Sequence, residues 1–304
     1  MEAEGFRAGL IALVGRPNVG KSTLLNALVG RKVSIVTHKP QTTRHRIMGV
    51  RHEAGHQFVF VDTPGIHLNA KRALNRTLNK SAQAVLDDVD LVVLVVEALR
   101  FTEEDDHVLR RLRGRDNVVL VINKVDQVKD KDALLPFIAG MSERMNFAAV
   151  VPLSALKTRN LEPLLDELRA RLPESPPLFP EEQLSDRDER FMVAEIVREK
   201  LMERLHEELP YSLTVTVDQM TVEPPKGKGP GLVRIGATIW VEREGQKAIV
   251  IGEGGSMLRT IGRMAREELE TRFGRKVFLE LWVKQREGWA DDPRQLRQLG
   301  IDEQ

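Results

Sequence analysis

The sequence predicts a doubly wound α/β domain with a mostly parallel sheet, followed by a smaller α+β domain. Through residues 1–172, short runs rich in Val and Ile alternate with amphipathic segments. That rhythm is typical of α/β domains with a parallel sheet. Residues 173–180 contain four prolines, which cannot continue a helix. We therefore expect a linker at 173–184 and a second domain at 185–304.

The apolar runs of the first domain have the pattern of parallel strands buried on both faces. A turn joins Ile47–Arg51 to Gln57–Val61, and this spacing predicts an antiparallel hairpin at the sheet edge. The predicted parallel strands are Leu10–Val14, Phe58–Val61, Leu91–Val96, Val118–Ile122 and Ala149–Leu153. The predicted helices are Thr23–Leu28, Lys71–Leu86, Glu103–Arg113, Asp132–Met145 and Leu161–Leu172.

The second domain has the predicted order α-β-β-α-α-β. Ser185 is a suitable N-cap for its first helix, which has apolar residues at four-residue spacing. The flexible sequence KGKGPG joins the two strands that follow. The predicted elements are helix Asp186–Glu208, strands Ser212–Thr221 and Leu232–Glu242, helices Lys247–Ile251 and Met257–Arg272, and strand Val277–Val283.

Composition excludes several classes of protein. The 304 residues include 46 Lys and Arg against 45 Asp and Glu, so a nucleic-acid site must depend on local charge. The absence of cysteine excludes disulfides, zinc fingers and thiol catalysis, and fits a cytoplasmic protein. No apolar run approaches the roughly 20 residues that a membrane-spanning helix needs. We interpret Trp282 and Trp289 as packing or stacking residues.

The sequence GRPNVGKS, from Gly15 to Ser22, matches the phosphate-binding pattern G-x-x-x-x-G-K-[ST] between a predicted strand and a predicted helix. Backbone N–H groups at such a helix N-terminus surround phosphate oxygens. Lys21 would neutralise the β and γ phosphates as a catalytic residue, and the Ser22 hydroxyl would bind Mg²⁺. The predicted nucleotide-binding residues here are Gly15, Arg16, Pro17, Asn18, Val19, Gly20, Lys21, Ser22 and Thr23.

The sequence Asn123-Lys124-Val125-Asp126 follows a predicted strand at the end where open α/β sheets bind ligands. The Asp126 carboxylate can accept hydrogen bonds from N1–H and the 2-amino group of guanine, a donor pair that adenine lacks. Asn123 can hold the loop and face the base, and the Lys124 stem can pack over it. A backbone N–H of the segment Ser154-Ala155-Leu156 could meet the guanine O6.

A candidate metal carboxylate lies in Asp62-Thr63-Pro64-Gly65, again at a strand end. Asp62 can hold Mg²⁺ through water, and the Gly65 N–H can reach a γ-phosphate. One hydroxyl of Thr42-Thr43 could complete the metal shell, and we favour Thr43, which is then also a catalytic residue. Without the other motifs, an ordinary Pro-Gly turn would explain the segment.

These four segments resemble translation-factor-class GTPases of the Ras-like superfamily. Ile66 occupies the position where Ras-like enzymes carry a water-orienting Gln. The resemblance therefore implies slow intrinsic hydrolysis of GTP to GDP that depends on Lys21, Mg²⁺ and an added group. Asn18 is the residue that similar GTPases use to hold K⁺, which would place positive charge near the phosphates.

A G-x-x-G loop, Gly252-Glu253-Gly254-Gly255, lies between two predicted helices. Such a loop allows close approach of a nucleic-acid backbone, and the element order resembles a type II KH domain. A plain helix–helix turn and a solvated helix face are the alternatives, and Glu253 would repel phosphate. Residues 226–266 carry eight Lys or Arg and three Asp or Glu. The remaining predicted RNA-binding residues are Lys247, Arg259, Arg263 and Arg266.

The whole chain resembles the Era family of bacterial GTPases, through GRPNVGKS, QTTRHR, DTPG, NKVD, SAL, EELPYS and IVIGEGG. The resemblance implies a monomer that hydrolyses GTP, binds near the 3′ end of 16S rRNA, and assists 16S rRNA processing and 30S subunit assembly. It also implies peripheral contact with the inner face of the cell membrane.

Two other functions are compatible with parts of the sequence. A membrane-associated signalling GTPase would use its C-terminal domain to bind a protein, with weak salt dependence. An ATP-dependent small-molecule kinase would share the phosphate loop, but Asp126 argues against it.

Overall fold

The computed structural model describes residues 5–39, 42–64, 74, 78, 83–205, 209, 212–225, 231–299 and 301. The chain forms two compact units. The first comprises residues 1–71 and 75–186, and the second comprises residues 72–74 and 187–304. Residues 173–184, where the sequence predicts a linker, thus belong to the first unit.

A six-stranded sheet in the order β2-β3-β1-β4-β5-β6 forms the centre of the first unit. The predicted hairpin is present at its edge, where β2 is antiparallel to β3. The other neighbours are parallel. The fold class predicted from the apolar runs is therefore confirmed. The strands are β1 (Arg7–Val14), β2 (Ile47–Glu53), β3 (His56–Asp62), β4 (Leu91–Glu97), β5 (Val118–Asn123) and β6 (Ala149–Pro152).

Four of the helices in the first unit are α1 (Lys21–Val29), α2 (Glu103–Leu112), α3 (Leu134–Ser142) and α4 (Leu161–Arg169). The prediction of one helix over Asp132–Met145 is wrong at both ends, because a 3₁₀ turn at Lys131–Ala133 precedes α3. Most of the predicted helix Lys71–Leu86 lies outside the described residues, although residues 83–87 are helical.

The segment after α4 is hydrogen-bonded first to the beginnings of β1 and β3 and then along β2, the edge strand of the sheet. The Gln57 side chain accepts from the backbone N–H groups of Leu178 and Phe179 at 2.7 and 3.0 Å. Farther along, the backbone N–H of Val50 donates to the Leu184 carbonyl at 2.9 Å. We call residues 173–186 the edge strap.

The second unit has the predicted order α-β-β-α-α-β, and a further helix that was not predicted follows the last strand. Its sheet has the order β7-β8-β9, from β7 (Leu213–Glu223), β8 (Leu232–Val241) and β9 (Lys276–Gln285). The hairpin strands β7 and β8 are antiparallel, whereas β8 and β9 are parallel. The helices are α5 (Glu189–Arg204), α6 (Glu244–Ile251), α7 (Ser256–Phe273) and α8 (Pro293–Gln298).

The first helix of the second unit begins later than predicted. Its N-cap is Asp188, whose carboxylate accepts from the Phe191 N–H at 2.8 Å, so the prediction of Ser185 as N-cap is wrong. Ser185 instead forms a β-bridge with Gly49 in the edge strap. The end of the predicted helix at residues 206–208 and most of the KGKGPG connection lie outside the described residues.

One face of the second sheet contributes to the core of that unit, which includes Val193, Leu201, Ile235, Ile239 and Leu269. Trp289 is also fully buried, whereas Trp282 is 45% exposed. Across the described residues, no helix is both long and apolar enough to span a membrane.

Candidate functional site

A cavity of about 450 Å³ in the first unit brings residues of four predicted segments together. They come from the phosphate loop, the Thr42-Thr43 segment, the loop after β5 and the segment Ser154-Ala155-Leu156 after β6. The sequence analysis did not identify the opposite wall, from Ile35 to Lys39. The predicted residues that line the cavity are Pro17, Asn18, Gly20, Lys21, Ser22, Thr23, Thr43, Asn123, Lys124, Asp126 and Leu156.

Lys21 is held under the phosphate loop. Its side chain is buried, and its Nζ donates to the carbonyls of Gly15 and Arg16, both at 3.0 Å. Burial lowers the pKa of Lys21 to about 8, because the charged ammonium loses contact with water. An anion bound in the loop would stabilise the charged ammonium of Lys21, so the loop is suited to a phosphate group.

Asp62 lies beneath the hydroxyls of Ser22 and Thr43. Its Oδ2 accepts from Ser22 Oγ at 2.7 Å and from Thr43 Oγ1 at 3.4 Å. Burial raises the pKa of Asp62. Among the described residues, no hydrogen-bond partner reaches its buried Oδ1. The Asp62 carboxylate, with its unsatisfied Oδ1, and the hydroxyls of Ser22 and Thr43 are oxygen groups of the kind that Mg²⁺ prefers.

The two neighbouring threonines occupy different places. Thr43 is buried beside Asp62, and its Oγ1 lies 2.8 Å from Ser22 Oγ. Thr42 Oγ1 instead lies 2.6 Å from both Thr37 Oγ1 and the Lys39 carbonyl oxygen. This placement supports our choice of Thr43 as the metal ligand.

Asn123 joins the phosphate loop to the loop after β6. Its Nδ2 donates to the Val19 carbonyl at 2.8 Å, and its Oδ1 accepts from the Ala155 N–H at 3.0 Å. Gly20 makes this approach possible, since a Cβ there would lie 2.4 Å from Asn123 Nδ2. Asn123 therefore holds the loops, as predicted, and both ends of its amide are engaged within the protein.

Asp126 is exposed at the cavity and accepts from Ser154 Oγ at 2.5 Å. That bond uses Oδ1 and orients the carboxylate. The N–H of Ser154 donates to the Arg159 carbonyl, and that of Ala155 donates to Asn123. These amides are thus already paired with protein atoms, so their predicted role toward the guanine O6 gains no support from the structure.

Arg16 is anchored by two acidic residues that sequence analysis missed. Its guanidinium donates to Asp105 at 3.0 Å and to Glu97 at 2.8 Å. Glu97 also pairs with Lys124 Nζ at 3.2 Å, and so connects the phosphate loop to the base loop. Two signals were readable: Glu97 ends an apolar run, and Thr102-x-x-Asp105 has the spacing of a helix capping box.

Several predicted residues lie elsewhere. Thr63 Oγ1 donates to the Leu13 carbonyl, which ties β3 to β1. Pro64 is buried but, like Val125, is not part of the cavity wall. Gly65 and Ile66 lie outside the described residues.

A second, shallower groove of about 430 Å³ runs between α7 and β9 in the second unit. The predicted residues Gly255, Arg259, Arg263 and Arg266 line it. Leu258, Gly262, Leu279 and Leu281 supply the rest of its surface. Arginines beside an apolar floor can bind a phosphate backbone while bases pack on the leucines.

The G-x-x-G loop is a tight turn between α6 and α7. Gly252 has φ 71°, and a Cβ there would lie 2.8 Å from Met257 Cβ. Arg259 Nη2 donates to the Gly254 carbonyl at 3.2 Å and holds the loop. Lys247 pairs with Glu244 at 3.4 Å, and neither Lys247 nor Glu253 lines the groove.

Two family descriptions match the chain. Residues 10–124 match a family described as 50S ribosome-binding GTPase, and residues 208–290 match the KH domain. The second match confirms the KH domain that the element order predicts.

Curated relatives match over nearly the full chain. GTPase Era of Xanthomonas campestris pv. campestris (strain B100) is 52% identical over 302 residues, which is 99% of each chain. GTPase Era of Stenotrophomonas maltophilia (strain K279a) has the same identity and coverage.

Two solved structures also match. A single-residue variant of Aquifex aeolicus Era bound to GDP·AlF4⁻ is 38% identical, with a TM-score of 0.91 and coverage of 97% of this chain and 99% of that one. Era in complex with MgGDPNP and nucleotides 1506–1542 of 16S ribosomal RNA has the same identity and coverage, with a TM-score of 0.90. The chain therefore belongs to the Era family of GTPases.

Proposed function

We propose that this GTPase binds the 3′ region of 16S rRNA through its second unit and assists maturation of that RNA and assembly of the 30S subunit. One observation carries the proposal. A single chain combines a cavity suited to guanine nucleotide and magnesium with a groove lined by Gly255, Arg259, Arg263 and Arg266. The related Era structure contains MgGDPNP and nucleotides 1506–1542 of 16S rRNA, which supports both ligands.

In the first unit, the polar groups at the nucleotide cavity have separate roles. Lys21 and the backbone N–H groups of the phosphate loop hold the β and γ phosphates. Ser22, Thr43 and Asp62 would hold Mg²⁺, directly or through water, and the ion would supply positive charge beside the phosphate oxygens. Asp126 selects guanine, while Lys124 and Asn123 keep its loop in place.

Hydrolysis in this protein lacks the glutamine that orients water in Ras-like enzymes, because residue 66 is Ile. We infer that Asn18, which lines the cavity, holds K⁺ beside the phosphates. The ion would stabilise negative charge that develops during phosphoryl transfer. We expect faster GTP turnover in potassium chloride than in sodium chloride at equal ionic strength.

The potassium hypothesis has a direct control. Asn18→Ala should remove the difference in GTP turnover between the two salts, measured at saturating GTP. Equal rates of the unaltered protein in the two salts would contradict the assignment of Asn18.

In the second unit, the groove favours single-stranded RNA. Single-stranded bases can leave their stack and pack on an apolar floor, whereas paired bases cannot. Arg263 and Arg266 lie one helical turn apart beside that floor and can contact successive phosphates.

The test is binding of the full-length protein to RNA with the sequence of nucleotides 1506–1542 of 16S rRNA, with GDP or a non-hydrolysable GTP analogue present. We expect binding that weakens steeply with salt and that an unrelated RNA of equal length does not reproduce. Co-sedimentation with 30S subunits, compared with 50S subunits, tests the assembly role. Affinity that is equal for both RNAs and insensitive to salt would favour a protein partner instead.

A further inference from the structure

We propose that the outer face of the second sheet is a second RNA contact, on which two unpaired bases stack. The surface, called here the aromatic platform, consists of Phe278, Glu280 and Trp282 on β9 with Arg234 and Gly236 on β8. This inference rests on the RNA-binding function proposed above. It adds a site on the sheet face opposite the hydrophobic core and separate from the groove.

The alternation along β9 separates the two faces of the sheet. Val277, Leu279, Leu281 and Val283 pack in or against the hydrophobic core. The residues between them are turned the other way, and two of them are large aromatic side chains. Phe278 is 44% exposed and Trp282 is 45% exposed, which is unusual for rings of this size.

Both rings are supported from β8. Gly236 leaves room for Trp282, because a Cβ at position 236 would lie 2.9 Å from Trp282 Cζ3. The Arg234 guanidinium lies 5.1 Å from the centroid of the Phe278 ring, within range of a cation–π interaction. The rings therefore rest against the sheet and offer area for contact at little further entropic cost.

The spacing of the rings suits two separate bases. Positions 278 and 282 are four residues apart on one strand, which corresponds to about 13 Å. An extended strand of RNA can place one base on each ring. Base–aromatic stacking of this kind occurs on the open sheets of other RNA-binding modules.

The charges favour RNA over a lipid surface. Lys276 and Lys284 lie at the two ends of the exposed row, where they can meet phosphates. Lys276 pairs with Glu270 at 3.8 Å, and Arg234 is ion-paired with Glu223. Glu280 lies between the rings, where it can accept from a base amino group. A carboxylate in that position would be costly among acyl chains.

The length of the RNA also requires more surface than the groove. A KH loop clamps about four nucleotides. The related structure contains nucleotides 1506–1542, so most of such a fragment extends beyond one KH groove. We expect part of the RNA that lies outside the groove to bind on the aromatic platform.

The experiment measures the affinity of two RNAs for the full-length protein at a fixed salt concentration. One is the 1506–1542 fragment. The other is the hexamer from that fragment whose affinity Arg263→Gln weakens most, which reports on the groove. Phe278→Ala with Trp282→Ala should lower affinity for the long fragment by roughly 5- to 150-fold for each base that stacks. Affinity for the hexamer should stay unchanged.

Two variants are matched controls. Phe278→Tyr with Trp282→Phe keeps both rings and should retain long-fragment affinity. Leu135→Ala removes a 73%-exposed apolar side chain from α3 in the first unit and should have no effect. Photocrosslinking of 4-thiouridine RNA to the unaltered protein should give adducts on Phe278 or Trp282, and does not depend on the variants folding.

The outcomes separate this inference from the function on which it rests. If the wild type binds neither RNA, the proposed function fails and the platform with it. If the wild type binds the long fragment and the double alanine variant binds it equally well, the platform is wrong and the groove is sufficient. Loss of hexamer affinity in that variant also contradicts a separate surface. Retained RNA affinity with loss of binding to vesicles of phosphatidylethanolamine and phosphatidylglycerol would show a membrane contact instead.

Discussion

The nucleotide cavity and the RNA groove have nearly equal volumes, about 450 and 430 Å³, but they differ in how far their charged side chains are exposed to water. Lys21 in the cavity wall is buried, as is Asp62 beneath the Ser22 and Thr43 hydroxyls, and each contacts named protein groups. In the groove, Arg259 and Arg263 are exposed to water. A buried polar site loses much when one partner is removed, because the other is left unpaired. In the groove, water can replace a lost contact.

The largest expected effect is at Asp126, because a bound guanine base would cover its exposed carboxylate and remove it from water. Asp126→Asn should weaken GTP binding by about 2–4 kcal/mol and improve binding of xanthosine triphosphate, whose 2-oxo group can accept a hydrogen bond. Competition between the two nucleotides, followed by fluorescence, measures the change. Asp132→Asn, an exposed carboxylate a few residues along the chain, is the control and should leave the preference for GTP intact. Unchanged GTP affinity in the Asp126 variant would contradict the assignment of Asp126 as the residue that selects guanine.

The next effect distinguishes the adjacent threonines. Thr43→Ala removes a hydroxyl 2.8 Å from Ser22 Oγ and should reduce Mg²⁺-dependent GTP turnover roughly 10- to 100-fold. Thr42→Ala should have a much smaller effect, since Thr42 bonds Thr37 and Lys39 instead. Magnesium titrations of turnover separate the two variants. A larger loss in the Thr42 variant would reverse our choice of ligand.

A smaller effect concerns pH. The pKa of Lys21 is about 8 without nucleotide, and a bound phosphate must raise it. Below pH 8 the ammonium is charged in both states, so GDP affinity should be nearly constant. Above pH 8 the free protein loses this proton and must regain it on binding, so affinity should fall, by at most about tenfold per pH unit.

Calorimetry of GDP binding in the presence of a metal chelator measures this pH dependence without magnesium. Buffers of different ionisation enthalpy report the proton taken up. Lys21→Met should bind GDP more weakly and show no such fall between pH 7 and 9. A fall that persists in this variant would assign the titration to another group.

The smallest effect belongs to the groove. Arg263→Gln should reduce the slope of log affinity against log salt by about 0.7, the value for one contact to single-stranded nucleic acid. Arg275→Gln removes an arginine that is also exposed but does not line the groove, and should leave the slope unchanged. Equal slopes in both variants would mean that Arg263 does not contact phosphate. A loss of RNA affinity in Arg263→Gln as large as the loss of GTP affinity in Asp126→Asn would contradict the contrast between the two sites.

The sequence was most informative where chemistry restricts residue types. A phosphate loop needs Gly, Lys and Ser at fixed spacing, and parallel strands buried on both faces need uninterrupted apolar runs, so both could be predicted. Glu97 ends an apolar run and Asp105 occupies a capping-box position, but neither pattern identifies Arg16 as the partner, because Arg16 is distant in sequence. Their roles depend on the order of the strands, which brings the end of β4 beside the phosphate loop.

Boundaries were less predictable than elements. Ser185 and Asp188 are both good N-caps by residue type, and tertiary contact decides between them. Ser185 is engaged by Gly49 in the sheet, which leaves Asp188 to cap α5. The four prolines correctly indicate a stretch without helix, but they do not show that this stretch binds the edge of the first sheet.

The edge strap has a consequence for making fragments of this protein. An open edge of a sheet exposes unpaired N–H and C=O groups, which can pair with another molecule and cause aggregation. Here Leu184 and Asp186 bond the outer edge of β2, through the N–H of Val50 and through both the N–H and the carbonyl of Met48. A GTPase fragment that ends at residue 172 would uncover that edge, whereas one that ends at residue 186 would keep it closed. The choice of end point should therefore decide whether the isolated first unit stays in solution as a monomer.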